Sequence, residues 1–331
     1  MVAAAAGDVV GGEGAASAAG PAVFRGTEYS PVRSTVAVAL VLGTIHLNAA
    51  IVVASLVFLP LRLAAVVFAL LIFLAVIPLY SKSILGRNLS RFICKHTVGY
   101  FPVNLHVDNI NDFDPNQSYV FGYEPHSMIA VGFSAFFKDS GLMPLPKIRV
   151  LGSSAAFHLP FLRHIWSWIG IVPATRKNFH RNLEAGYSCL IVPGGVREIL
   201  YMDRDYEVAF LKARKGFIKI AVETGRPLVP VFCFGQSKIY KWRKFSGRLL
   251  LRIAQAVNFV PIIFWGRLGS PVPFRQPLHV VVGRPIEVKK NPQPSLDEIN
   301  EVQSQFISAM EDLFERYKAE AGYPDLHLRV L

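Results

Sequence analysis

The sequence predicts an α/β domain with a mostly parallel sheet, preceded by a transmembrane or re-entrant helical hairpin. Short apolar runs bounded by glycine and proline alternate with segments of helical character, which is typical of parallel sheets covered by helices. Two long apolar stretches stand before the first of these runs. Hydrophobic residues make up 52% of the 331 residues, which is high for a wholly soluble protein and indicates membrane contact.

Composition divides the chain into three parts. Residues 1–33 are rich in alanine and glycine and lack hydrophobic periodicity, so we expect a disordered tail. Residues 34–80 contain both long apolar stretches and are predicted to form the membrane hairpin. From residue 81 to residue 331 the composition is globular and no internal repeat is visible, so we expect one membrane-associated domain there.

The first apolar stretch, Val36–Leu59, is interrupted by few polar residues. As a helix it would be about 36 Å long, against about 30 Å for the hydrocarbon core of a bilayer. A second apolar segment, Leu63–Leu79, follows a break at Pro60. Both segments are apolar all round, which favours membrane helices over buried helices of a soluble core.

The charges that flank the hairpin predict its orientation. One arginine, Arg62, lies in the turn, whereas several basic residues lie outside the two helices: Arg25, Arg33, Lys82, Arg87, Arg91 and Lys95. By the positive-inside rule, both ends face the cytosol. Because the turn is short, the hairpin either spans the bilayer or re-enters the cytosolic leaflet without reaching the far side.

The globular part contains five predicted buried strands: Tyr119–Tyr123, Ile148–Leu151, Cys189–Val192, Leu228–Phe234 and His279–Val282. Three segments between or after them have helical character: Ala155–Trp168, Val208–Thr224 and Ser295–Tyr317. The last begins with Ser295-Leu-Asp-Glu298, the pattern of a capping box.

Charge and cysteine content exclude several classes of protein. The net charge of +12 suits phosphate groups or an anionic leaflet. Nucleic-acid binding is not expected, because the sequence lacks zinc-finger spacing, an RNP-type motif and a basic helix. The three cysteines are far apart and odd in number, so we expect neither a disulfide framework nor a metal site.

A histidine follows the first predicted strand. Proline donates no ladder hydrogen bond, so the strand Tyr119–Tyr123 must end or bend near Pro125, and His126 comes next, two residues after Glu124. This places an imidazole beside a carboxylate at a strand end, where α/β proteins build their sites. A loop histidine bonded to the backbone would give the same pattern.

A second candidate region is the turn Gly194-Gly195, which follows another strand and precedes Glu198. Adjacent glycines let a ligand approach the backbone, although a plain tight turn explains them equally well. Three further groups are candidates, and each could also be an ordinary solvated surface. They are the polar pair Arg163 and His164, the basic pair Arg176 and Lys177, and the cations Lys212, Arg214 and Lys215. The last three are predicted to share one turn of a helix, where they could bind phosphates.

In the same order and over nearly all of residues 81–331, these blocks resemble the type-2 acyl-CoA:diacylglycerol acyltransferases. Residues 123–127 read Tyr-Glu-Pro-His-Ser, the plant-type form of an active-site block in which animal and fungal members have His in place of Glu. Other matching blocks are R-H-I-W, R-K-N-F, P-G-G-V-x-E, R-K-G-F and L-V-P-V-F-C-F-G. A departure is Arg197, where plant relatives often carry Gln. The broader glycerolipid acyltransferases have Asp four residues after the histidine; this chain does not, so a carboxylate partner must be Glu124 or lie elsewhere.

The resemblance implies a glycerolipid-acyltransferase-like fold and an enzyme of the endoplasmic reticulum that makes triacylglycerol from diacylglycerol and acyl-CoA. His126 would act as general base, oriented by Glu198 or Glu124, with His164 and Arg163 in support. Backbone N–H groups of Gly194 and Gly195 would stabilise the oxyanion, and the cations would bind the phosphates of coenzyme A. Acyl-CoA would be a co-substrate, and no metal or further cofactor is expected. Membrane lipids are expected partners, and lipid-droplet association and a homo-oligomer are compatible with the sequence.

Several alternatives stay open. The acceptor could instead be a monoacylglycerol or a fatty alcohol, since related enzymes share these motifs. The chain could also be a catalytically inactive lipid-binding protein that has kept the fold. A rival mechanism would acylate Ser127 or Cys233, but Ser127 directly follows His126, so their side chains should diverge in an extended chain.

Overall fold

The structure is a computed structural model that describes residues 22–26, 29–78, 83–244 and 262–331. Within these residues an eight-stranded sheet forms the centre of the molecule. Its strands, in spatial order, are β1 (Ala22–Arg25), β2 (Val103–Val107), β11 (Leu278–Val282), β8 (Leu228–Phe234), β3 (Val120–Glu124), β6 (Ser188–Ile191), β4 (Ile148–Gly152) and β5 (Ile171–Pro173).

The sheet is mixed. Strands β8, β3, β6, β4 and β5 run parallel to one another, whereas β11 is antiparallel to β8 and β1 is antiparallel to β2. The predicted parallel sheet is therefore confirmed for the five strands that include β3, and the other side departs from it. All five predicted strands are present, each within one residue of its expected ends.

Both faces of the sheet are covered. Strand β8 is buried along its whole length, as its continuous apolar sequence predicts for a central strand. Neighbouring residues of β3, Val120 and Phe121, point into two different apolar clusters. The Phe121 cluster includes residues of the N-terminal helices, and the Val120 cluster includes the apolar face of the last long helix.

In the described parts of the chain, two smaller sheets and six further α-helices accompany the central sheet. Strand β7 (Tyr206–Ala209) pairs with β12 (His327–Val330), and β9 (Lys241–Lys244) pairs with β10 (Ile262–Trp265). The helices are α3 (Ile84–Tyr100), α4 (Leu162–Trp168), α5 (Arg176–Glu184), α6 (Arg197–Tyr201), α7 (Gly216–Thr224) and α8 (Leu296–Tyr317). The capping box predicted for α8 is confirmed, because the Ser295 and Glu298 side chains each accept from the other's backbone N–H.

Two helix predictions need correction. The predicted helix Val208–Thr224 is wrong in its first half, because Val208 lies in β7 and α7 begins at Gly216. The pairing partner of Val208 is Arg329 at the far end of the chain, so local sequence gives no sign of this strand. The predicted helix Ala155–Trp168 is a 3₁₀ turn followed by α4, with a break at Pro160, which cannot continue a helix.

The N-terminal part is less separate than predicted. Residues 1–21 of the predicted disordered tail lie outside the described residues, but Ala22–Arg25 forms β1 at the sheet edge. Helix α1 (Pro31–Phe58) begins before residue 34, and Val38 and Leu42 on it are buried in the core of the domain. The predicted boundary at residue 80 therefore does not separate two independently packed units.

Beyond its first half, α1 leaves the domain. Asn48 donates to the Pro160 carbonyl (2.8 Å), and the following apolar side chains are mostly exposed. Helix α2 (Leu61–Val76) is also largely exposed, with Leu61 at 86%, and Arg163 donates to the carbonyls of Leu74 and Ile77 at its end. By length and composition α1 could cross a membrane, whereas α2 is shorter.

Candidate active site

The candidate site lies at the carboxyl ends of the parallel strands. His126 follows β3, and the Gly194-Gly195 turn follows the neighbouring strand β6. Ser153 and Ala174 follow β4 and β5 and lie on the same edge. Open α/β sheets bind ligands at this edge, so the parallel half of the sheet brings the sequence-predicted residues His126, Glu124, Gly194 and Glu198 together.

Glu198 holds the loop that carries His126. One oxygen, Oε2, accepts from the backbone N–H of His126 (2.6 Å), and the other, Oε1, accepts from the N–H of Phe210 (2.8 Å). The side chain is buried, so these two charge-assisted bonds replace its lost hydration. Glu198 thus contacts the backbone of His126 and, in this structure, positions the residue rather than its imidazole.

Glu124 is fully buried beside Glu198. Its Oε1 accepts from the N–H of Gly194 (3.2 Å), and Oε2 has no hydrogen-bond partner among the described residues. Burial, followed by the neighbouring carboxylate of Glu198, raises the pKa of Glu124 well above its ordinary value. Glu124 and Glu198 therefore form a buried carboxyl pair beneath the histidine loop, and burial of Glu124 favours its neutral form.

The imidazole of His126 has a defined tautomer. Its Nδ1 lies 2.9 Å from the Ser127 carbonyl, which can only accept, so Nδ1 carries the proton. The lone pair is then on Nε2, which has no partner among the described residues. His126 lines a cavity of about 940 Å³, so this nitrogen is available as a base.

Ser127 and Cys233 are poorly placed as nucleophiles. Ser127 has a φ of 50°, and its hydroxyl lies 2.6 Å from the Ser237 hydroxyl instead of on the imidazole. Ser237 in turn donates to Glu207 (2.6 Å). Burial raises the pKa of Glu207 to about 7. Cys233 is fully buried in β8, and burial raises the pKa of its thiol to about 12. The geometry favours direct transfer over an acylated enzyme.

The two glycines differ in what they offer. A Cβ on Gly194 would lie 1.8 Å from Glu198 Oε1, so no side chain fits there while Glu198 keeps its place. The N–H of Gly194 is occupied by Glu124, which removes it from the predicted pair of oxyanion donors. Gly195 has a φ of 57° and lines the cavity. The Gly194 carbonyl accepts from Arg214 (3.1 Å), whose guanidinium lies at the cavity wall.

The cavity has a volume of about 940 Å³ and is mostly apolar. His126, Arg197 and Arg214 supply charged or polar groups to its wall. Its apolar wall comes from several elements, including Met128, Phe133, Trp166, Ile199 and, from α1, Ile45. A space of this size and lining suits a long hydrocarbon chain with a polar reacting end, and its contact with α1 places it beside the exposed apolar helices.

Comparison with known proteins decides the family. The sequence profile described as diacylglycerol acyltransferase matches residues 55–330. The chain belongs to the diacylglycerol acyltransferase family. It is 32% identical to human 2-acylglycerol O-acyltransferase 3 over 71% of this chain and 74% of that protein. It is 33% identical to diacylglycerol O-acyltransferase 1 of Schizosaccharomyces pombe over 66% and 68% of the two chains. A solved structure, the LPA acyltransferase PlsC of Thermotoga maritima, is similar over 85% of this chain and 96% of that one, with 12% identity and a TM-score of 0.41.

In this family member, two predicted site residues lie away from the cavity. Arg163 caps the end of α2 through the carbonyls of Leu74 and Ile77. His164 packs against Trp168, with ring centroids 6.0 Å apart, and burial, then the adjacent Arg163, lower its pKa. Arg163 thus connects α4 with the exposed helix α2, and neither residue lines the cavity that contains His126.

The predicted cation cluster is divided. Lys212, Arg214 and Lys215 precede α7 and do not share a turn of helix, which corrects the expectation. Arg214 reaches the cavity, Lys215 bonds to Asn300 (2.5 Å), and the Lys212 side chain is exposed. On α5, Arg176 pairs with Glu223 (2.7 Å) and Lys177 is exposed. Of these five cations, Arg214 is the one that the structure places beside the acyltransferase site.

Sequence reasoning missed three polar residues of the site. Gln236 is buried, accepts from Tyr123 (2.6 Å) and donates to the Pro125 carbonyl (2.6 Å), which fixes the loop before His126. Ser237 and Glu207 reach the same loop through Ser127. A usable signal existed for Gln236 and Ser237, because they directly follow the buried strand β8 just as His126 follows β3.

Proposed function

We propose that this protein is an acyl-CoA-dependent O-acyltransferase that converts diacylglycerol to triacylglycerol. The observation that carries the proposal is the available Nε2 of His126 at the wall of a large apolar cavity, with the Glu124–Glu198 pair holding its loop. The names of the relatives, which include diacylglycerol O-acyltransferases of two yeasts, support the same class of reaction.

In the proposed reaction, His126 Nε2 takes the proton from the free hydroxyl of diacylglycerol as the oxygen attacks the thioester carbonyl. The tetrahedral intermediate collapses with loss of the coenzyme A thiolate, which takes the proton back from the imidazolium. The Ser127 carbonyl keeps the imidazole in the required tautomer throughout. The thioester supplies an activated acyl group, so the proposal includes no metal or further cofactor.

The developing oxyanion needs donors in a dry site. Because the Gly194 N–H is occupied by Glu124, we assign this role to the Gly195 N–H and to the guanidinium of Arg214, both at the cavity wall. Glu198 positions His126 through its backbone N–H, and Glu124 holds the neighbouring Gly194 turn by accepting from the Gly194 N–H.

A second candidate acceptor is 2-monoacylglycerol. The human relatives named 2-acylglycerol O-acyltransferase 3 and 1 are 32% and 31% identical to this chain, close to the identities with the diacylglycerol enzymes. The acyl cavity and His126 would serve either acceptor, since the attacking group is a glycerol hydroxyl in both.

The test is expression in cells that lack triacylglycerol synthesis. We expect lipid droplets to form and membranes from these cells to transfer acyl groups from acyl-CoA to diacylglycerol. Membranes containing the His126→Ala variant at the same level provide the control. Transfer to monoacylglycerol without transfer to diacylglycerol would select the second candidate, and binding of lipid without any transfer would contradict an enzymatic function.

The helices α1 and α2 are proposed to enter one leaflet from the cytosolic side of the endoplasmic reticulum, with both ends of the chain in the cytosol. After Asn48, α1 extends about 15 Å to Phe58, half of the roughly 30 Å hydrocarbon core. Arg163 holds the end of α2 against the same domain. Such a hairpin would also fit the lipid monolayer of a droplet, where no second leaflet exists.

The depth of the hairpin can be measured with a cysteine at its turn. The three native cysteines are buried, so a thiol at Leu61→Cys will be the main site of labelling. We expect a fluorophore there to be quenched by nitroxides deep in the bilayer and to resist a membrane-impermeant maleimide added on the lumenal side. Leu296→Cys, at the exposed start of α8, should react from the cytosolic side. Lumenal labelling at residue 61 would show that the hairpin spans the bilayer.

A further inference from the structure

A basic groove lies at the carboxyl end of β8, on the other side of the His126 loop from the acyl cavity. It consists of two adjoining depressions of about 530 and 580 Å³ that share Lys238 and Lys241. Six basic side chains line this basic groove: Arg204, Lys238, Lys241, Arg243, Arg267 and Arg275. Two carboxylates, Asp203 and Glu207, also contribute to its wall. The lining therefore has an excess of positive charge.

The cations of the basic groove form no close ion pairs within the described residues. No described carboxylate lies within ion-pair distance of any of the six. Burial raises the pKa of Glu207 to about 7, so this carboxyl group is only partly ionised near neutral pH. It also already accepts a hydrogen bond from Ser237. By contrast, Arg176 has Glu223 as an ion-pair partner. A concentration of unpaired cations in a concave surface attracts a ligand with several negative charges.

Aromatic rings stand beside these cations. Lys238 lies 4.3 Å from the centroid of the Tyr323 ring, and Arg275 lies 3.9 Å from that of Tyr29. Trp242 and Trp265 also line the basic groove and are partly exposed. Flat rings among cations are suited to a nucleotide, because a base can stack on a ring while its phosphates bind the ammonium and guanidinium groups.

The basic groove adjoins the reacting groups. Ser237 lines it, and the Ser237 hydroxyl is 2.6 Å from that of Ser127, the residue after His126. A ligand in the groove would therefore have one end near the loop that carries the base, while the apolar cavity extends from the other side of that loop. A ligand with a phosphate-bearing head group and a long acyl chain would fit these two sites, with its head in the basic groove and its chain in the apolar cavity.

We propose that the basic groove binds the phosphorylated nucleotide of acyl-CoA, while the apolar cavity binds its acyl chain. The inference rests on the proposed function and adds a location for the co-substrate. It differs from the sequence-based expectation, which gave the phosphates to Lys212, Arg214 and Lys215. The phosphate of an anionic lipid could bind the same cations. The β9–β10 pair, which contributes residues to the groove, lies beside helix α1, because Phe264 contacts His46 (ring centroids 5.3 Å).

The experiment uses the full chain in nanodiscs without anionic lipid and the double variant Lys238→Ala/Lys241→Ala. Both lysines are exposed, and a thermal unfolding curve reports whether the variant is folded. We expect its Kd for coenzyme A and its KM for acyl-CoA to rise about tenfold or more, with KM for diacylglycerol unchanged. The loss should be smaller for dephospho-coenzyme A, which lacks the 3′-phosphate. The exposed pair Lys289→Ala/Lys290→Ala is the charge-matched control and should behave as wild type.

A second variant, Arg204→Ala/Arg243→Ala, keeps the test valid if the first is unfolded. Unchanged coenzyme A affinity in a folded groove variant would overturn the proposal, and a loss found instead in Lys212→Ala/Lys215→Ala would return the phosphates to that segment. Unchanged coenzyme A affinity with lost flotation on phosphatidic acid vesicles would identify a lipid headgroup site and also overturn it. Coenzyme A binding that needs the groove in a protein without transferase activity would contradict the proposed function and leave the groove assignment standing. Normal transferase activity in a groove variant with normal coenzyme A affinity would contradict the groove assignment and leave the proposed function standing.

Discussion

His126→Ala is expected to lower kcat by about 10²–10⁴-fold, the usual contribution of a general base. The reason is geometric: Nε2 is the available basic atom of the loop at the cavity wall, and the Ser127 carbonyl keeps its lone pair free. Expression and thermal stability should change little, because the contact that holds this loop to Glu198 is made by the backbone N–H of His126, which alanine retains. Rates are measured with saturating acyl-CoA and diacylglycerol.

Three further variants and a labelling experiment sharpen this result. His126→Gln keeps a polar side chain but not the base, so it should be nearly as inactive. His164→Ala should lose less, since His164 packs on Trp168 away from the cavity, and the exposed His327→Ala should keep wild-type kcat. Labelled acyl-CoA without acceptor should leave no acyl group on the protein. Substantial activity in His126→Ala, or a trapped acyl group on Ser127 or Cys233, would rule out the role given to His126.

Gly194→Ala should lower kcat by about 10²-fold and reduce stability. The added methyl would lie 1.8 Å from Glu198 Oε1, so the carboxylate must leave its position between the N–H groups of His126 and Phe210. Each charge-assisted bond lost at a buried carboxylate costs roughly 1.5–3 kcal/mol, and a displacement of the base by about 1 Å is enough for a loss of this size in rate. Paired measurements of kcat and of the unfolding midpoint test both effects.

The matched control is Gly216→Ala. Gly216 begins α7, and a Cβ there would meet nothing within 4 Å. Alanine favours a helix over glycine by up to about 1 kcal/mol, so this variant should be as stable as wild type or slightly more stable, with unchanged kcat. If Gly194→Ala retained normal kcat and stability, Glu198 could not be as rigidly held as its two hydrogen bonds indicate.

Local sequence was sufficient for the parallel half of the sheet and insufficient for what packs against it. Strand β8 was predicted residue for residue, because a buried parallel strand is a continuous apolar run between turn residues. The second half of strand β7, Val208 and Ala209, was predicted as helix, because its partner β12 lies more than a hundred residues away and no local pattern reports that pairing. The burial of Val38 and Leu42 was equally invisible, since a helix that is apolar all round looks the same against protein and lipid.

The candidate site shows the same limit. The positions of Glu124 and His126 at the end of one strand, and of Glu198 after the glycine turn that follows another, were predictable, and their convergence follows from the parallel order of β3 and β6. The separate contacts of the two carboxylates were not predictable. Glu198 accepts from the N–H of His126 and Glu124 from that of Gly194, and only the folded structure shows which N–H each one meets. The dispersal of the five basic residues also required the fold, since α5 and α7 direct Arg176 and Lys215 to partners on other helices.

The docking of α1 on the domain has a consequence for how such a protein can evolve. Ile45 forms part of the cavity wall, while Asn48, one turn further along, bonds to the loop before α4. Exchange of this helix for an unrelated membrane anchor would therefore open the cavity and expose Val38 and Leu42, even if the new helix reached the same bilayer. In the proposed arrangement the same helix serves attachment and closes the cavity, so we expect that removal of the anchor alone would not leave a soluble fragment with an intact cavity.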